Sequence, residues 1–201
     1  MRISDTAFPF LEEDCLQAFG PDEGRALFEQ TEDIYRQLLE GADYRGSEAV
    51  RDHLQRKLFP PMACYKALCG RGAPAEQALE YVRQETRKSA LAKRGEMKKL
   101  AGMPFAYTMY RLGVKKHMAK NFPDAGWETE WVRCDGREIH FNLHRCLYWE
   151  LTGQYGCPEL CCVYCENDDI AFSGLLPKIR FERSGTLGSG AAYCDFHFIK
   201  A

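Results

Sequence analysis

The residues best suited to chemistry are cysteines that crowd one segment near the C-terminal end of the sequence. Cys157, Cys161, Cys162 and Cys165 lie close together, and Cys194 follows after a glycine-containing stretch. A thiolate is both a strong nucleophile and a soft metal ligand, so this segment could serve covalent catalysis or metal binding. On a helix, Cys161 and Cys165 would face the same way, because residues four apart are neighbours on a helix surface.

Cys165 and Cys194 are the candidate nucleophiles. A nucleophilic cysteine needs a nearby cation, base or helix N-terminus that lowers the pKa of its thiol. In a final strand, Cys194 would share a face with Phe196 and Phe198, because strand side chains alternate between the two faces. Since free cysteine is among the most buried residue types, Cys194 could equally be a small core residue.

Carboxylates offer a second route, in which one of them activates a water molecule as a general base. Asp168 and Asp169 follow the cysteine-dense segment, and Asp195 lies in the last predicted strand. Asp168 or Asp169 could instead simply end the preceding helix. Asp195 would lie beside His197 on one strand face, which could give it a proton partner or leave both in solvent.

An arginine opens the loop between the last two predicted strands, which runs from Arg183 to Gly190. The planar guanidinium can bind both oxygens of a carboxylate, so Arg183 is the candidate for holding an acidic substrate group. It could also be an edge-strand residue that pairs with Glu182 or with solvent.

A metal is the third chemical alternative, with zinc or another metal held by Cys157, Cys161 and Cys165. The Cys-x3-Cys-Cys-x2-Cys spacing differs from that of zinc ribbons, which use two separated Cys-x2-Cys pairs. The histidines are scattered and form no His-Glu-x-x-His motif. We therefore expect that no cofactor is needed.

Ten cysteines in 201 residues could indicate a secreted disulfide scaffold. The N-terminus lacks the pattern of an export signal, however, and the adjacent Cys161 and Cys162 suit thiols better than paired bridges. We therefore expect a cytoplasmic protein with reduced cysteines.

No apolar run approaches the ~20 residues of a membrane span, and the net charge is only −2. The expected partner is a small-molecule substrate, with neither nucleic acid nor membrane; the oligomeric state stays open, a homodimer being one alternative.

Charge is distributed unevenly along the chain. Residues 83–120 contain eleven Lys or Arg and two Glu, whereas residues 1–50 contain twelve acids and four bases. The basic run could bind phosphate or nucleic acid, or it could be a solvated helix face. Aromatic residues for base stacking are not interleaved with it, which favours the second interpretation.

The elements that must position these residues change type near residue 122. Up to that point apolar residues recur at helical spacing, and beyond it they alternate, as Ile139, Phe141 and Leu143 do. Asp135-Gly136 is typical of a hairpin turn between two strands. The sequence thus predicts one α+β domain over 1–201, with a mainly helical layer over 1–122 packed on a small, mostly antiparallel sheet within 123–201. The later elements are predicted as helices at 146–155 and 158–167 and strands at 178–183 and 193–199.

Several of these pieces together resemble the L-2-amino-thiazoline-4-carboxylic acid hydrolase family. The resembling elements are Cys146 in a polar-aromatic turn, Cys165 followed by Asp168 or Asp169, the Arg-x-x-Thr-Leu-x-x-Gly run from Arg183 to Gly190, and the terminal Cys194-Asp195-Phe196. The resemblance implies hydrolytic opening of a thiazoline-type ring that carries a carboxylate. Water adds at C2, the carbon between sulfur and nitrogen, and cleavage of the C2–S bond gives a carbamoyl-cysteine product.

By motif position, the resemblance implies a set of catalytic residues and a set of substrate-binding residues. The catalytic candidates are Cys165, Cys194, Asp195 and Asp169; the substrate-binding candidates are Arg183, Thr186, Gly190 and Cys146. A thiolate nucleophile and a carboxylate-activated water both stay open as mechanisms. The alternative function is a non-enzymatic module of the same fold that binds a ligand or senses thiol state or metal.

Overall fold

The change from helical to alternating apolar spacing is the point at which helices give way to strands. A computed structural model describes residues 1–201. Helices fill the first two thirds of the chain and a four-stranded antiparallel sheet follows, so the predicted α+β class is confirmed. The chain divides into two compact units, Met1–Ser89 and Ala90–Ala201. No helix combines the length and apolar character that crossing a bilayer requires.

The first unit consists of helices joined by short turns. Pro21 opens the second helix, where its missing N–H would be unpaired anyway. Gly24 lets that helix approach the first one closely, because a side-chain carbon there would overlap the carbonyl oxygen of Cys15. Ser47 caps the third helix by accepting a hydrogen bond from the Val50 amide. The helices of this unit are α1 (Leu11–Phe19), α2 (Pro21–Glu40), α3 (Glu48–His53) and α4 (Phe59–Gly70), and α5 (Ala75–Ala101) begins here and ends in the second unit.

The proline pair at Pro60 and Pro61 lies in the first turn of α4 and is accommodated there. A π-helical turn, Leu54–Leu58, leads from α3 directly into α4. Because this turn is continuous with α4, the two prolines remove amides that would bond carbonyls of the preceding turn, and the Arg56 carbonyl accepts from the Ala7 amide instead.

The second unit carries the sheet together with three helices of its own. The strands pair in the order β1-β2-β4-β3, and each neighbouring pair is antiparallel. The elements are α6 (Ala106–Asn121), β1 (Trp127–Cys134), β2 (Glu138–Cys146), α7 (Leu147–Gln154), α8 (Leu160–Phe172), β3 (Ile179–Glu182) and β4 (Cys194–Lys200).

Helix α8 is longer than its sequence indicates, because it continues past Asn167 to Phe172. Asp168 and Asp169 therefore lie inside the helix and do not end it. Short acidic side chains weaken helices when they bond to their own backbone. Here both carboxylates are instead paired with Arg183, which removes that competition.

The sheet of the second unit has one apolar and one polar face. On the apolar face, Phe141 stacks on Phe196 with ring centroids 5.1 Å apart, and Phe198 contacts Tyr110 of α6 and Phe172 of α8. The core of this unit therefore lies between the sheet and these helices. The polar face carries the histidines of β2 and β4, with His140 stacked on His197 at 4.7 Å.

Candidate functional site

Helix α8 presents a stripe of reactive and polar side chains at four-residue spacing. Cys161, Cys165, Asp169 and Ser173 follow one another along this stripe, because residues four apart share a helix face. Cys161 is buried and Cys165 is half-buried. The predicted thiol-bearing helix is thus present, with the two cysteines directly adjacent.

Cys165 is the more acidic thiol of this stripe. A hydrogen bond from Cys161 lowers the pKa of Cys165, and the Thr186 hydroxyl and the Arg183 charge act in the same direction against the effect of burial. The proton is retained by Cys161, whose pKa is raised by that same hydrogen bond and by its own burial. A thiol with this surrounding is a nucleophile at lower pH than an ordinary cysteine.

Arg183 is buried against α8 and is fully engaged there. Its side chain is only 6% exposed, and its Nη2 lies 2.7 Å from Asp169 Oδ2 while Nη1 lies 3.3 Å from Asp168 Oδ2. Nη2 also donates to the carbonyl oxygen of Cys165 at 2.7 Å. Burial alone would lower the pKa of Arg183, but the two carboxylates outweigh it and raise that pKa. Glu182 pairs with Arg180, so Arg183 is not an exposed edge-strand residue.

The two aspartates that hold Arg183 differ in their surroundings. Desolvation raises the pKa of Asp168 to about 6, although Arg183 pulls it down. The Asp168 side chain keeps 41% of its surface exposed, so solvent screening limits what this shift contributes to stability. Asp169 is 56% exposed, which makes it the partner of Arg183 that can most easily move away.

The loop after Arg183 closes over the thiols. Thr186 accepts a hydrogen bond from the Ser189 amide at 3.1 Å and so caps the short helical turn Leu187–Ser189. Gly190 ends this turn with a φ of +86°, a left-handed conformation that favours glycine. Gly188 packs directly on the cysteines, because a side-chain carbon there would lie 2.9 Å from Cys161 Sγ.

Cys194 and Cys146 lie close enough to Cys165 for its charge to raise their pKa values. The main cause is burial, which brings the pKa of Cys194 to about 11 and that of Cys146 to about 12. Cys194 Sγ accepts a hydrogen bond from the Leu187 amide at 3.2 Å, which ties the loop to β4. Both thiols therefore stay protonated at neutral pH.

Asp195 points away from this cluster, onto the polar face of the sheet. Its carboxylate lies 2.8 Å from His140 Nε2 and accepts a hydrogen bond from the Ser184 hydroxyl at 2.7 Å. Burial would raise the pKa of Asp195, but the bonds from Ser184 and His140 outweigh it and lower that pKa. The structure thus brings Cys165, Arg183, Asp169 and Thr186 together with Cys194 and Cys146, and it leaves Asp195 on the opposite face.

A small cavity adjoins the α8 stripe. It has a volume of about 140 Å³ and is lined by Asp169, Ser173, Leu176, Arg180 and Phe181. Asp169 contributes to the cavity wall and also binds Arg183. It therefore connects this space to the thiol cluster, which consists of Cys146, Cys161, Cys165 and Cys194.

Two features of the site are not apparent from sequence reasoning. One is the role of Cys161 as hydrogen-bond partner of Cys165, which the four-residue spacing suggests but does not establish. The other is the pairing of Asp195 with His140, because this needs the register of β2 against β4. Within residues 1–201, the structure shows no group of three or more His, Cys, Asp or Glu arranged to hold a metal ion. The zinc alternative at Cys157, Cys161 and Cys165 stays a prediction.

Comparison with known proteins identifies one match. The family model described as L-2-amino-thiazoline-4-carboxylic acid hydrolase matches residues 51–198 of the chain. This range contains all of the thiol cluster, Arg183 and the loop that follows it. No curated protein matches the chain.

Proposed function

Because the chain belongs to the L-2-amino-thiazoline-4-carboxylic acid hydrolase family, we propose that it is a hydrolase that opens a carboxylate-bearing thiazoline ring. The product is a carbamoyl-cysteine. The observation that carries the proposal is the ionisable Cys165, which is held between Cys161, Thr186 and Arg183. The reaction needs an attacking atom at C2, a group that binds the substrate carboxylate, and a source of water.

Cys165 is the proposed nucleophile. Its thiolate adds to C2 of the ring, and the C2–S bond then breaks, which frees the substrate's own thiol and leaves C2 bonded to the Cys165 sulfur. Water adds to that carbon, the bond to Cys165 breaks, and the urea-type carbonyl of the product forms. The net change is the addition of one water molecule, and Cys165 is regenerated. The lowered pKa of Cys165 supports this route, because only the thiolate attacks.

Arg183 is the proposed binding group for the substrate carboxylate. Its guanidinium already binds the carboxylate of Asp169 at 2.7 Å. The Asp169 side chain is half-exposed and lines the cavity. A substrate entering from the cavity can replace Asp169 on Arg183 without leaving the buried cation unpaired. This exchange avoids the large penalty of an unpaired buried charge.

Asp169 then has a second proposed role. Once it is released from Arg183, its carboxylate is free to accept a proton from the water that attacks in the second half of the reaction. This arrangement uses both a thiolate and a carboxylate. Thr186, Gly190 and Cys146 contribute by shaping the loop and the wall around the reacting carbon. Cys194 contributes by anchoring the loop through the Leu187 amide.

Asp195 has a positioning role in this proposal. It lies on the other face of the sheet, where it binds Ser184 at the start of the loop. The carboxylate therefore fixes the loop that carries Thr186 and does not touch the substrate.

The test is a hydrolysis assay on L-2-amino-thiazoline-4-carboxylate with wild type and Cys165→Ser. We expect wild type to release the carbamoyl product and Cys165→Ser to lose activity by a factor on the order of 10³ or more. Cys134→Ser is the matched control, because Cys134 is a half-buried cysteine of β1 outside the cluster. An inactive wild type would refute the proposed substrate, and a fully active Cys165→Ser would refute the proposed nucleophile.

The second candidate function is a non-enzymatic module that binds a ligand or senses thiol state. One observation favours it: the loop is closed over the thiols and the adjoining cavity is only about 140 Å³. Such a module would bind the thiazoline carboxylate without consuming it. Calorimetric binding in the absence of any product would favour this function over the hydrolase.

A further inference from the structure

A group of large apolar side chains stands exposed around the start of α6. We call this group the Phe105 patch. Met109 and Leu112 lie on one face of α6 because residues three apart are neighbours on a helix surface, and this face is opposite the buried Val114 and Met118; Phe105 immediately precedes the helix. The patch consists of Met103 (41% exposed), Phe105 (82%), Met109 (46%), Leu112 (71%) and Leu176 (53%).

The loop at Leu176 joins this surface through a direct contact. Lys178 Nζ donates to the carbonyl oxygen of Met103 at 3.2 Å, which holds the Leu176–Lys178 segment beside the turn before α6. The patch is therefore formed by two segments of the second unit. Single exposed apolar residues are ordinary, but a contiguous group of them marks an interaction surface.

Phe105 has an unusual backbone for a bulky residue. Its φ of 57° and ψ of 31° place it in the left-handed region, where glycine is the favoured residue. Packing does not explain this choice, because the side chain is 82% exposed. A strained residue whose side chain is presented to solvent indicates a role outside the fold itself.

The charged side chains of α6 and of the turn before it have one sign. Residues 97–123 contain six Lys or Arg and no Asp or Glu. Lys116 and Lys120 continue the stripe of Met109 and Leu112 along the exposed face of α6. The basic run that the sequence shows thus borders an apolar surface, and a solvated face alone does not account for it.

Charge and shape favour one occupant. A dimer formed through this same face of a second copy would bring together two basic helices with no Asp or Glu in residues 97–123 to pair with their lysines, so it gains no charge complementarity. Nucleic-acid interfaces are more polar than this patch. An anionic lipid surface can accommodate both the exposed apolar side chains and the basic charge of α6. The apolar side chains enter the boundary of the hydrocarbon, and the lysines contact the headgroups.

We propose that the Phe105 patch, with Lys116 and Lys120, docks the protein peripherally on an anionic membrane surface. The expectation of no membrane partner rests on the lack of an apolar run long enough to span a bilayer, and a peripheral contact needs no such run. Leu176 of the patch also lines the cavity beside Asp169. The residues that the variants below replace, Phe105, Lys116 and Lys120, lie outside both the cavity lining and the thiol cluster, so vesicle binding and hydrolysis are tested separately.

The experiment is co-sedimentation of the full chain with vesicles of phosphatidylcholine alone and with vesicles that also contain phosphatidylglycerol. We expect binding to the anionic vesicles, weak binding to the neutral ones, and a decrease as salt is raised. Absence of binding to the anionic vesicles at low salt would overturn the proposal.

Two variants separate the contributions of apolar contact and charge. Phe105→Gly should weaken vesicle binding about tenfold, while its melting temperature stays equal or rises because glycine adopts the left-handed backbone freely. Lys116→Gln with Lys120→Gln should weaken binding about fivefold per lysine. Phe19→Ala is the control, because Phe19 is also an exposed phenylalanine, at 40%, but lies on α1.

Light scattering in the absence of lipid tests the second copy as occupant. We expect the same mass for wild type and Phe105→Gly. A wild-type dimer that Phe105→Gly dissociates, together with vesicle binding that this variant leaves unchanged, would overturn the lipid proposal.

Discussion

A hydrogen bond from Cys161 to Cys165 spans a single helical turn, and it makes Cys165 the more acidic of the two thiols. Cys161 is buried and keeps the proton, whereas Cys165 receives the hydrogen bond and can carry the negative charge. The two thiols are therefore not equivalent: Cys161 is the hydrogen-bond donor and Cys165 is the acceptor. Removal of the donor should therefore change the acidity of Cys165 without touching the sulfur itself.

We predict that Cys161→Ala raises the pKa of Cys165. Without the S–H donor the thiolate loses its main stabilisation, so the alkylation rate of Cys165 should reach its half-maximum at a higher pH. Iodoacetamide labelling across a pH series, with the Cys165 peptide quantified by mass spectrometry, measures this. Cys162→Ala is the control, since Cys162 donates to the Gly188 carbonyl and not to Cys165. An unchanged pH profile in Cys161→Ala would contradict the assigned hydrogen bond.

Asp195 gives a second prediction at the residue scale. Its pKa is lowered in the folded protein, so its contribution to stability is present at neutral pH and is lost as the pH falls through its folded pKa. Asp195→Asn should lower the free energy of unfolding by about 2 kcal/mol at pH 7, because the bonds from Ser184 and His140 lose their charged acceptor. Urea denaturation at pH 7 and at pH 3 measures the difference, which should shrink at the acidic pH. If the difference in unfolding free energy between wild type and Asp195→Asn were equal at pH 7 and pH 3, the charge of Asp195 would not contribute to stability.

At the scale of elements, the site depends on how the loop after β3 packs on α8. Gly188 is the point of closest approach, and Cys162 Sγ donates to its carbonyl oxygen at 3.1 Å. Packing of this kind tolerates no additional carbon, because interiors are dense and rearrange only locally. The loop conformation and the thiol positions are therefore coupled.

We predict that Gly188→Ala destabilises the protein by about 1–3 kcal/mol through overpacking against Cys161, and that hydrolysis falls with it. Thermal denaturation and the hydrolysis assay measure the two effects. Gly95→Ala is the control, because Gly95 lies in α5 with open space around it and alanine is the better helix former. Its stability should be equal or higher, and a loss as large as that of Gly188→Ala would indicate a general sensitivity to alanine.

The elements themselves were predictable wherever one period dominates. Alternation at Ile139, Phe141 and Leu143 predicts β2, and the structure confirms it. The end of α8 was not predictable, because Asp168 and Asp169 read as a terminus unless their pairing with Arg183 is known. The local sequence pattern of α8 contains no information about its ion-pair partner Arg183, which follows only after a loop and strand β3.

At the scale of the whole molecule, the α+β class follows from the order of the periodicities, and the family follows from motifs spread over the C-terminal part. The arrangement around the sheet does not follow from either. Cys194 and Asp195 are neighbours in sequence, yet strand alternation sends one to the thiol cluster and the other to His140. A motif read as one unit is therefore divided between two surfaces.

The whole molecule also carries ten cysteines without a cross-link between them. We predict that Ellman's reagent detects ten thiols in the denatured chain with or without prior reduction. The native protein should react at fewer positions, since Cys15, Cys64, Cys157, Cys161 and Cys194 are buried. A denatured count that rises after reduction would reveal a disulfide and contradict the structure.

If Arg183 binds the substrate carboxylate as we propose, its contact with Asp169 has a consequence for the selectivity of ligand binding. A carboxylate tethered on the same helix as the reactive sulfur has a high effective concentration at the guanidinium, and any free acid must compete with it. Simple metabolites such as acetate, which bring only one charge, lose that competition. A molecule that gains further contacts with the cavity can win it, so the resting protein filters its ligands before any bond is made or broken.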